Sequence, residues 1–521
     1  MSKGKSIKSI INQDSTLDVI IVGGGINGAG IAAEATNRGL RVGLFEAKDF
    51  ACATSSASSK LVHGGLRYLE YGEFRLVKEA LNEREILLTK AAHLIKPLRF
   101  RLPHLSHLRP KWQIKAGLFL YDHLARRCIL KPSRQMKVDP ADGLEKNITT
   151  AFEYSDCWID DARLVIANLQ QARLAGAEVR NYCQVIKSEY ERGLWKVTIF
   201  DQRTNLKSIR YSRVLINATG PWAASFIEQY TPETSPHSMR LVKGSHLIVP
   251  KLYQGEHAYV LQNKDKRIVF VIPYLDRFSM IGTTDIPFEG DAYSATTSEE
   301  ETAYLLSLTN QFFTRQLDTS DVIDNFSGVR PLFEDMAKDT SNNEQKPVSA
   351  QALSRDYDLT IQSVHNAPPL LTVFGGKLTT YRKLSVKVIK ALEPFLALSP
   401  PHSEPTAPLP GSIGLQRTVL LNQVTTAHPS LAATTVARLV AQYGTAVWDV
   451  VKNAETHNEI IIADLHRFEL DYLVENEWAF TADDIVRRRT KLHFDCDAQE
   501  LRRLENELSI RRRSQNDLHL K

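Results

Sequence analysis

The sequence predicts an α/β fold in three parts: a Rossmann-like nucleotide-binding domain, a mixed-sheet substrate domain interleaved with it, and a C-terminal helical domain. Three observations predict it. The run from Leu17 to Val22 is apolar and β-branched and is stopped by Gly23-Gly24-Gly25, which reads as a strand buried on both faces. The middle of the chain carries a series of short strand-like runs. Finally, residues 399–410 hold five prolines, whose missing amide donors exclude a helix or central strand, and the chain beyond them is Leu-, Ala-, Arg- and Glu-rich with helical spacing. The expected organisation is therefore 17–398 for the two interleaved domains, 399–413 for a linker and 414–521 for the helical domain.

Taken in order, a polar leader (1–16) precedes the first strand. A small-residue helix is expected over 26–38, Gly39 punctuates it, and 41–46 reads as a second strand ending in Glu46. Strand, helix and strand make one βαβ unit. Residues 160–175 are helical in composition, 179–186 read as a strand, and 194–201 with 208–216 read as antiparallel or mixed sheet. Strand-like runs at 245–249, 268–273 and 278–283 follow, then a polar loop at 337–349, a helix over 377–396, and a capped helix start at Thr481-Ala482-Asp483-Asp484.

Composition narrows the function classes. At 521 residues, with about 150 per domain as a guide, the chain has room for roughly three units. Hydrophobic residues at 43% and charged residues at 24% exclude collagen-like and wholly disordered readings. Five scattered cysteines without a C-x-x-C pair indicate neither a zinc ribbon nor a disulfide framework and fit a reducing, cytoplasmic compartment. No apolar h-region follows the N-terminal lysines, and no stretch of about 18 uninterrupted apolar residues is present. A net charge of +5 is too mild to imply nucleic acid. No His/Asp/Glu cluster has metal-ligand spacing, so no metal is expected.

Gly23-x-Gly25-x-x-Gly28 follows a strand and opens a helix, and Glu46 ends the next strand. The glycines allow a tight turn and close backbone approach to a pyrophosphate, the helix N-terminus supplies partial positive charge, and Glu46 is suited to a ribose diol. This fingerprint serves NAD and FAD alike. Two further segments favour FAD: the hydroxyl-rich run 52–60, which could line an extended dinucleotide or be a solvated loop, and the strand 214–217 leading into Ala218-Thr219-Gly220.

At this point the chain resembles the FAD-dependent glycerol-3-phosphate dehydrogenases, specifically the aerobic bacterial, membrane-associated type. The similarity is carried by residues 21–30, 51–69, 154–163 and 374–382, by Lys243-Gly244-Ser245-His246 and Ser327-Gly328-Val329-Arg330-Pro331, and by Glu477-Trp478. It extends from about residue 17 to about 495. A longer leader and a longer 338–349 loop depart from it. The resemblance implies an FAD domain of the glutathione-reductase type, with cofactor contacts at Gly23, Gly25, Ile26, Asn27, Gly28, Glu46, Ser55, Ser58, Ser59, Ala218, Gly220, Gly376, Lys377, Leu378 and Thr379. It also implies oxidation of glycerol 3-phosphate to dihydroxyacetone phosphate, ubiquinone or menaquinone as acceptor, a homodimer, and peripheral (monotopic) attachment to the inner face of the cytoplasmic membrane.

A phosphate dianion calls for guanidinium and ammonium groups, since charge-assisted hydrogen bonds to it are the strong ones. By residue type the candidates are Arg330, Lys377, Arg67 and Arg355, any of which alone also reads as an ordinary surface base. The resemblance puts substrate contacts on these four and on Tyr68 and His246. Oxidising a secondary alcohol further needs a base near neutral pH. His63 is the first candidate and His246 the second, with Arg330 available to stabilise a forming alkoxide.

Between Lys96 and Lys137 eleven Lys or Arg face one acid, Asp122, and Trp112, Ala116, Phe119, Leu120 and Leu124 recur at helical spacing. Composition alone fits both an anionic bilayer surface and a core helix with solvated flanks. The resemblance favours the bilayer. The competing functions are a glycerol-3-phosphate oxidase using oxygen, an amino-acid oxidase of the same fold, and a flavin-bearing assembly protein without turnover.

Overall fold

The first strand has no polar face to give to solvent, and it lies inside the sheet accordingly. In this computed structural model, which describes residues 16–105, 109–126, 129–263, 267–335, 357–363 and 367–519, Leu17–Val22 pairs in parallel with Val42–Phe45 on one side and with the C-terminal half of Leu206–Asn217 on the other. Glu178–Arg180 and Leu370–Phe374 extend the parallel sheet outward, and Asp358–Gln362 closes one edge antiparallel. The N-terminal half of Leu206–Asn217 turns to Leu194–Asp201 and Cys183–Glu191 as an antiparallel meander.

The single strand expected over 179–186 is two strands in different neighbourhoods. Glu178–Arg180 runs beside Val42–Phe45, then Tyr182 takes a left-handed φ of 52° and Cys183–Glu191 leaves along the meander. The break is fastened from outside: Tyr182 N–H donates to Lys48 O at 2.9 Å and Cys183 N–H to Glu46 O at 2.7 Å.

Helix Ile26–Asn37 packs between helices Asp161–Leu174 and Tyr381–Ala391. A methyl group on Gly30 would meet Tyr381 and Ser385 at 2.6 Å, so the small residue sets the helix separation. The helix expected over 377–396 begins later, with a 3-10 turn at Leu378–Thr380 leading into Tyr381–Ala391. Gly375 and Gly376, at φ 78° and 108°, carry the chain in from the strand, and Lys377 is extended.

Among the described residues the second sheet has ten strands. Its long strand His237–Pro250 pairs antiparallel with Asp324–Asp335, in a register that sets Lys243 opposite Val329 and His246 opposite Phe326. The Lys243–His246 and Ser327–Pro331 motifs, about eighty residues apart in sequence, are thereby neighbours. Phe278–Gly282, Ile268–Tyr274, Ala258–Gln262, Ile95–Pro103, Thr150–Ile159 and Leu61–Val62 complete the sheet toward its far edge.

Residues 399–412 lie as a strap on the first domain. Ser399 and His402 N–H donate to Arg38 and Asn37 carbonyls, Leu409 is buried with its N–H on Lys90 O, and Ser412 meets His93 at 2.7 Å. Beyond it, helices Arg417–Ala427, Ala433–Tyr443, Arg467–Asn476 and Ala498–His519 surround a separate core that includes Leu439, Phe468, Leu473, Ile485 and Leu504. A short hairpin, Ile460–Ile462 with Leu465–His466, interrupts what reads in sequence as wholly helical. At Thr481 and Asp484 the expected cap is present, each side chain accepting the other's backbone N–H, although the turn it starts, Asp484–Arg489, is wound as a π-helix.

Candidate active site

One cavity of about 690 Å³ runs from the first βα turn, past residues 52–59, to the junction of the two sheets. Its nucleotide end is shaped by backbone. Gly23 has φ 109°, and a Cβ there would stand 2.5 Å from Ala218 O; a Cβ on Gly28 would stand 1.9 Å from Gly23 O. Gly25, by contrast, has ordinary backbone, and its Cβ would only touch Ser55 Oγ at 3.1 Å. The tight glycines are Gly23 and Gly28, and Gly25 keeps space rather than conformation.

Helix Ile26–Asn37 has neither a side-chain cap at its N-cap, Gly25, nor an acid in its first turn, and this end faces the cavity. Ile26 N–H donates to Ser55 Oγ at 3.0 Å, and Asn27 donates to Gly375 O at 3.1 Å while its own Oδ1 is buried without a partner. Glu46 accepts Gly24 N–H at 2.7 Å and Lys48 N–H at 2.8 Å, one on each oxygen, leaving lone pairs for a ribose diol. Burial pushes its carboxyl up, and the nearby Asp49 adds to this. An elongated cavity with a steric backbone cradle, an uncapped helix N-terminus and an orphaned amide oxygen fits FAD. Ala218, Gly220, Gly376, Leu378 and Thr379 line the same space.

The hydroxyl-rich run does line the cavity, but its hydroxyls are not all turned to it. Ser58 Oγ donates to Asp161 Oδ2 at 2.7 Å, Thr54 Oγ1 donates to Val329 O at 2.7 Å, and Ser59 Oγ meets His246 Nε2 at 2.9 Å. Ser58 thus braces the buried Lys60–Asp161 pair.

At the other end His63, Arg67, Tyr68, His246, Arg330 and Lys377 all line the cavity. Arg355, the remaining substrate candidate, lies outside the described residues, as does the 338–349 loop. Among the described residues no carboxylate pairs with Arg330 or Lys377, and Lys377 Nζ lies 4.4 Å from the centre of the Tyr68 ring. Burial pushes the His63 imidazole below its ordinary value of 6.5; Asp156 opposes this, and Lys377 and Arg330 add to it. His246 is pushed down to about 3 by burial, then by Lys60 and Arg330. Its ring stacks on Phe326, with centroids 4.8 Å apart.

Sequence reasoning missed Asp156. It is buried with Arg84 Nη1 at 2.7 Å and accepts Tyr121 OH at 2.8 Å, and Tyr121 OH in turn accepts Gly64 N–H at 2.8 Å. The residue sits within the 154–163 segment, but nothing local tied it to His63.

Helix Lys111–His123 buries Ile114, Leu118 and Tyr121 and exposes Trp112 (70%) and Phe119 (66%), with Leu120 and Ile129 also exposed. The core-helix reading holds for one stripe and fails for the other. Leu124 does not share the outer face; it packs against the core. The basic surplus is smaller than the sequence count, because Arg99, Arg101 and Arg134 converge on Glu153 and Arg109 pairs with Glu70. No helix among the described residues is long and apolar enough to cross a membrane.

Comparison with known proteins adds identity to this geometry. Residues 18–382 match the family described as FAD-dependent oxidoreductase, and residues 405–507 match the C-terminal domain of alpha-glycerophosphate oxidase. The chain is 50% identical to a glycerol-3-phosphate dehydrogenase of Pseudomonas aeruginosa (91% of each chain) and 46% identical to the aerobic glycerol-3-phosphate dehydrogenase of Escherichia coli (91% of this chain, 94% of that one). It is also 43% identical to a D-erythritol 1-phosphate dehydrogenase of Brucella abortus (92% and 95%). Among solved structures, the glycerol-3-phosphate dehydrogenase of Bacillus halodurans complexed with FAD superposes with a TM-score of 0.71 at 26% identity, covering 96% of this chain and 95% of that one.

Proposed function

The chain belongs to the FAD-dependent oxidoreductases and, within them, to the glycerol-3-phosphate dehydrogenases, and from that premise we propose how its cavity divides the work and where its electrons go. The reaction is the FAD-dependent oxidation of sn-glycerol 3-phosphate to dihydroxyacetone phosphate. The observation that carries the assignment of residues is the company kept by His63: two cations without carboxylate partners among the described residues, Arg330 and Lys377, lie close enough to depress it, in the cavity whose other end is the glycine loop.

Arg330 and Lys377 take the phosphate dianion through charge-assisted hydrogen bonds, with Arg67 and Tyr68 beside them. His63 takes the hydroxyl proton, because a ring held neutral at physiological pH keeps a lone pair ready for general-base catalysis. A bound phosphate offsets the repulsion that the two cations exert on an imidazolium, so substrate strengthens the base that will deprotonate it. His246, neutral down to about 3, orients by hydrogen bonding through Ser59 and does not exchange protons in the working range. When bound, FAD supplies the two-electron acceptor for the hydride of the carbinol carbon. Electrons then pass to a membrane quinone, ubiquinone or menaquinone. The exposed Trp112, Phe119, Leu120 and Ile129, with Lys111, Lys115 and Arg126 near them in sequence, support peripheral attachment at the inner face of the cytoplasmic membrane.

Anaerobic addition of glycerol 3-phosphate to the purified protein should bleach the flavin absorbance, and faster than D-erythritol 1-phosphate does. A flavin that glycerol 3-phosphate leaves oxidised would sink the reading. Rapid peroxide formation in air would move the assignment to the oxidase alternative.

A further inference from the structure

The Glu477-Trp478 motif and the arginines after it touch no part of the cavity, yet they bear on its wall. Asp49, three residues beyond Glu46, is 1% exposed and is held by three guanidinium contacts: Arg489 Nη1 and Nη2 at 2.7 Å each and Arg488 Nε at 2.6 Å. Arg489 is itself fully buried and also donates to Glu477 O at 2.9 Å. The next residue, Phe50, is met edge-on by Trp478, with ring centroids 5.3 Å apart. Phe50 backs directly onto the fingerprint, since a Cβ on Gly24 would lie 2.4 Å from its ring, and Ala51 N–H donates to Gly24 O at 3.1 Å. Gly24 N–H is in turn bonded to Glu46.

We infer that the C-terminal domain is a positioning element for the cofactor: Arg488, Arg489 and Trp478 clamp the Asp49–Phe50 turn and thereby fix Glu46 and Gly24 where the adenosine half of FAD binds. The inference rests on the FAD reading of the cavity and assigns the helical domain a task in cofactor retention. Bidentate geometry matters here, because a forked guanidinium fixes both the distance and the orientation of Asp49, whereas a point charge fixes only the distance. Lys491, which grips Asp160 at 2.7 Å across the same seam, holds the start of helix Asp161–Leu174 and not the turn. It therefore serves as the comparison.

The test titrates FAD into the full-length apoprotein of the wild type and of Arg489→Met, Arg489→Lys, Trp478→Leu and Lys491→Met, following flavin fluorescence. Arg489→Met and Trp478→Leu should weaken FAD binding at least about tenfold, about 1.4 kcal/mol. Arg489→Lys should recover part of the loss, Lys491→Met should match the wild type, and the FAD-saturated variants should keep the wild-type KM for glycerol 3-phosphate. Wild-type FAD affinity in Arg489→Met and Trp478→Leu, with only the melting temperature lowered, would overturn the inference. So would an equal loss in Lys491→Met, which would mark a general loosening of the seam. Should Arg489→Met not fold, Trp478→Leu, which removes no charge, decides alone. A wild-type apoprotein that took up no FAD would instead sink the cofactor reading itself.

Discussion

The His63 end of the cavity and the seam beneath the C-terminal domain are both rich in positive charge and handle it in opposite ways. At the seam four buried cations meet carboxylates: Arg163 with Glu477, Arg488 and Arg489 with Asp49, and Lys491 with Asp160. In the cavity Arg330 and Lys377 have no carboxylate partner among the described residues and press instead on a neutral histidine. A buried cation with its counter-ion in place calls for no further anion, because its charge is already matched and only the loss of a partner would expose it. A cation held beside other cations is electrostatically incomplete until an anion arrives. The difference teaches where to look for a ligand in a chain with 65 basic residues: not where arginines are most numerous but where they lack acids.

The largest effect should come from breaking a pair at the seam. Arg163→Met leaves the buried Glu477 carboxylate without its fork and should cost about 3–5 kcal/mol of stability, read as a lower denaturation midpoint. KM for glycerol 3-phosphate should not move; a raised KM with intact stability would erase the contrast between the regions.

The cavity should answer in the reverse sense. Arg330→Ala and Lys377→Ala should each lower kcat/KM for glycerol 3-phosphate by about 2–5 kcal/mol of transition-state binding, far more than they alter FAD content. Wild-type efficiency in either variant would remove that residue from the phosphate site.

A smaller effect is the titration of His63. Its folded-state value lies below the ordinary 6.5 because of burial and the two cations, so removing either cation, or supplying inorganic phosphate to neutralise them, should raise it. NMR titration of the imidazole in the wild type, in Lys377→Ala and with phosphate present reads the shift directly. A curve that does not respond would detach His63 from the pair.

The smallest effect per residue belongs to the outer helix. Trp112→Ser and Phe119→Ser should each remove on the order of 1–2 kcal/mol of apolar burial at a bilayer surface, moving protein to the soluble fraction. Quinone reduction should fall more than reduction of a soluble dye. Equal losses with both acceptors would return the helix to the core-only reading.

The cofactor end was the legible part because its chemistry is local. Gly23, Gly28 and Glu46 sit within one βαβ unit, and their spacing states the tight turn, the close approach of backbone and an acid at the end of the neighbouring strand. The split of 179–186 escaped because one residue, Tyr182, changes its φ to satisfy the 46–48 turn, and hydrophobic pattern does not record that. Gly25 and Gly23 look equivalent in the motif, yet only contact with Ala218, nearly two hundred residues away, separates them. The basic count over 96–137 misled for a related reason: Glu153, which absorbs three of its arginines, lies just beyond the segment on a neighbouring strand. The other end of the cavity gathers side chains from segments near residues 63, 246, 330 and 377, so residue types could nominate candidates there, but only the fold could bring them together.

The contact between Asp49 and Arg489 spans 440 residues. A ribosome adding about 5–20 residues each second needs roughly 20–90 s to travel that interval. For that time the nascent chain carries the complete glycine fingerprint with a bare carboxylate behind it, destined for burial and without its counter-ion. A chain cut short before residue 489 keeps every fingerprint residue and lacks the arginine counter-ions of Asp49. The charge behind the fingerprint is thus matched only after the arginines near residue 489 have been made.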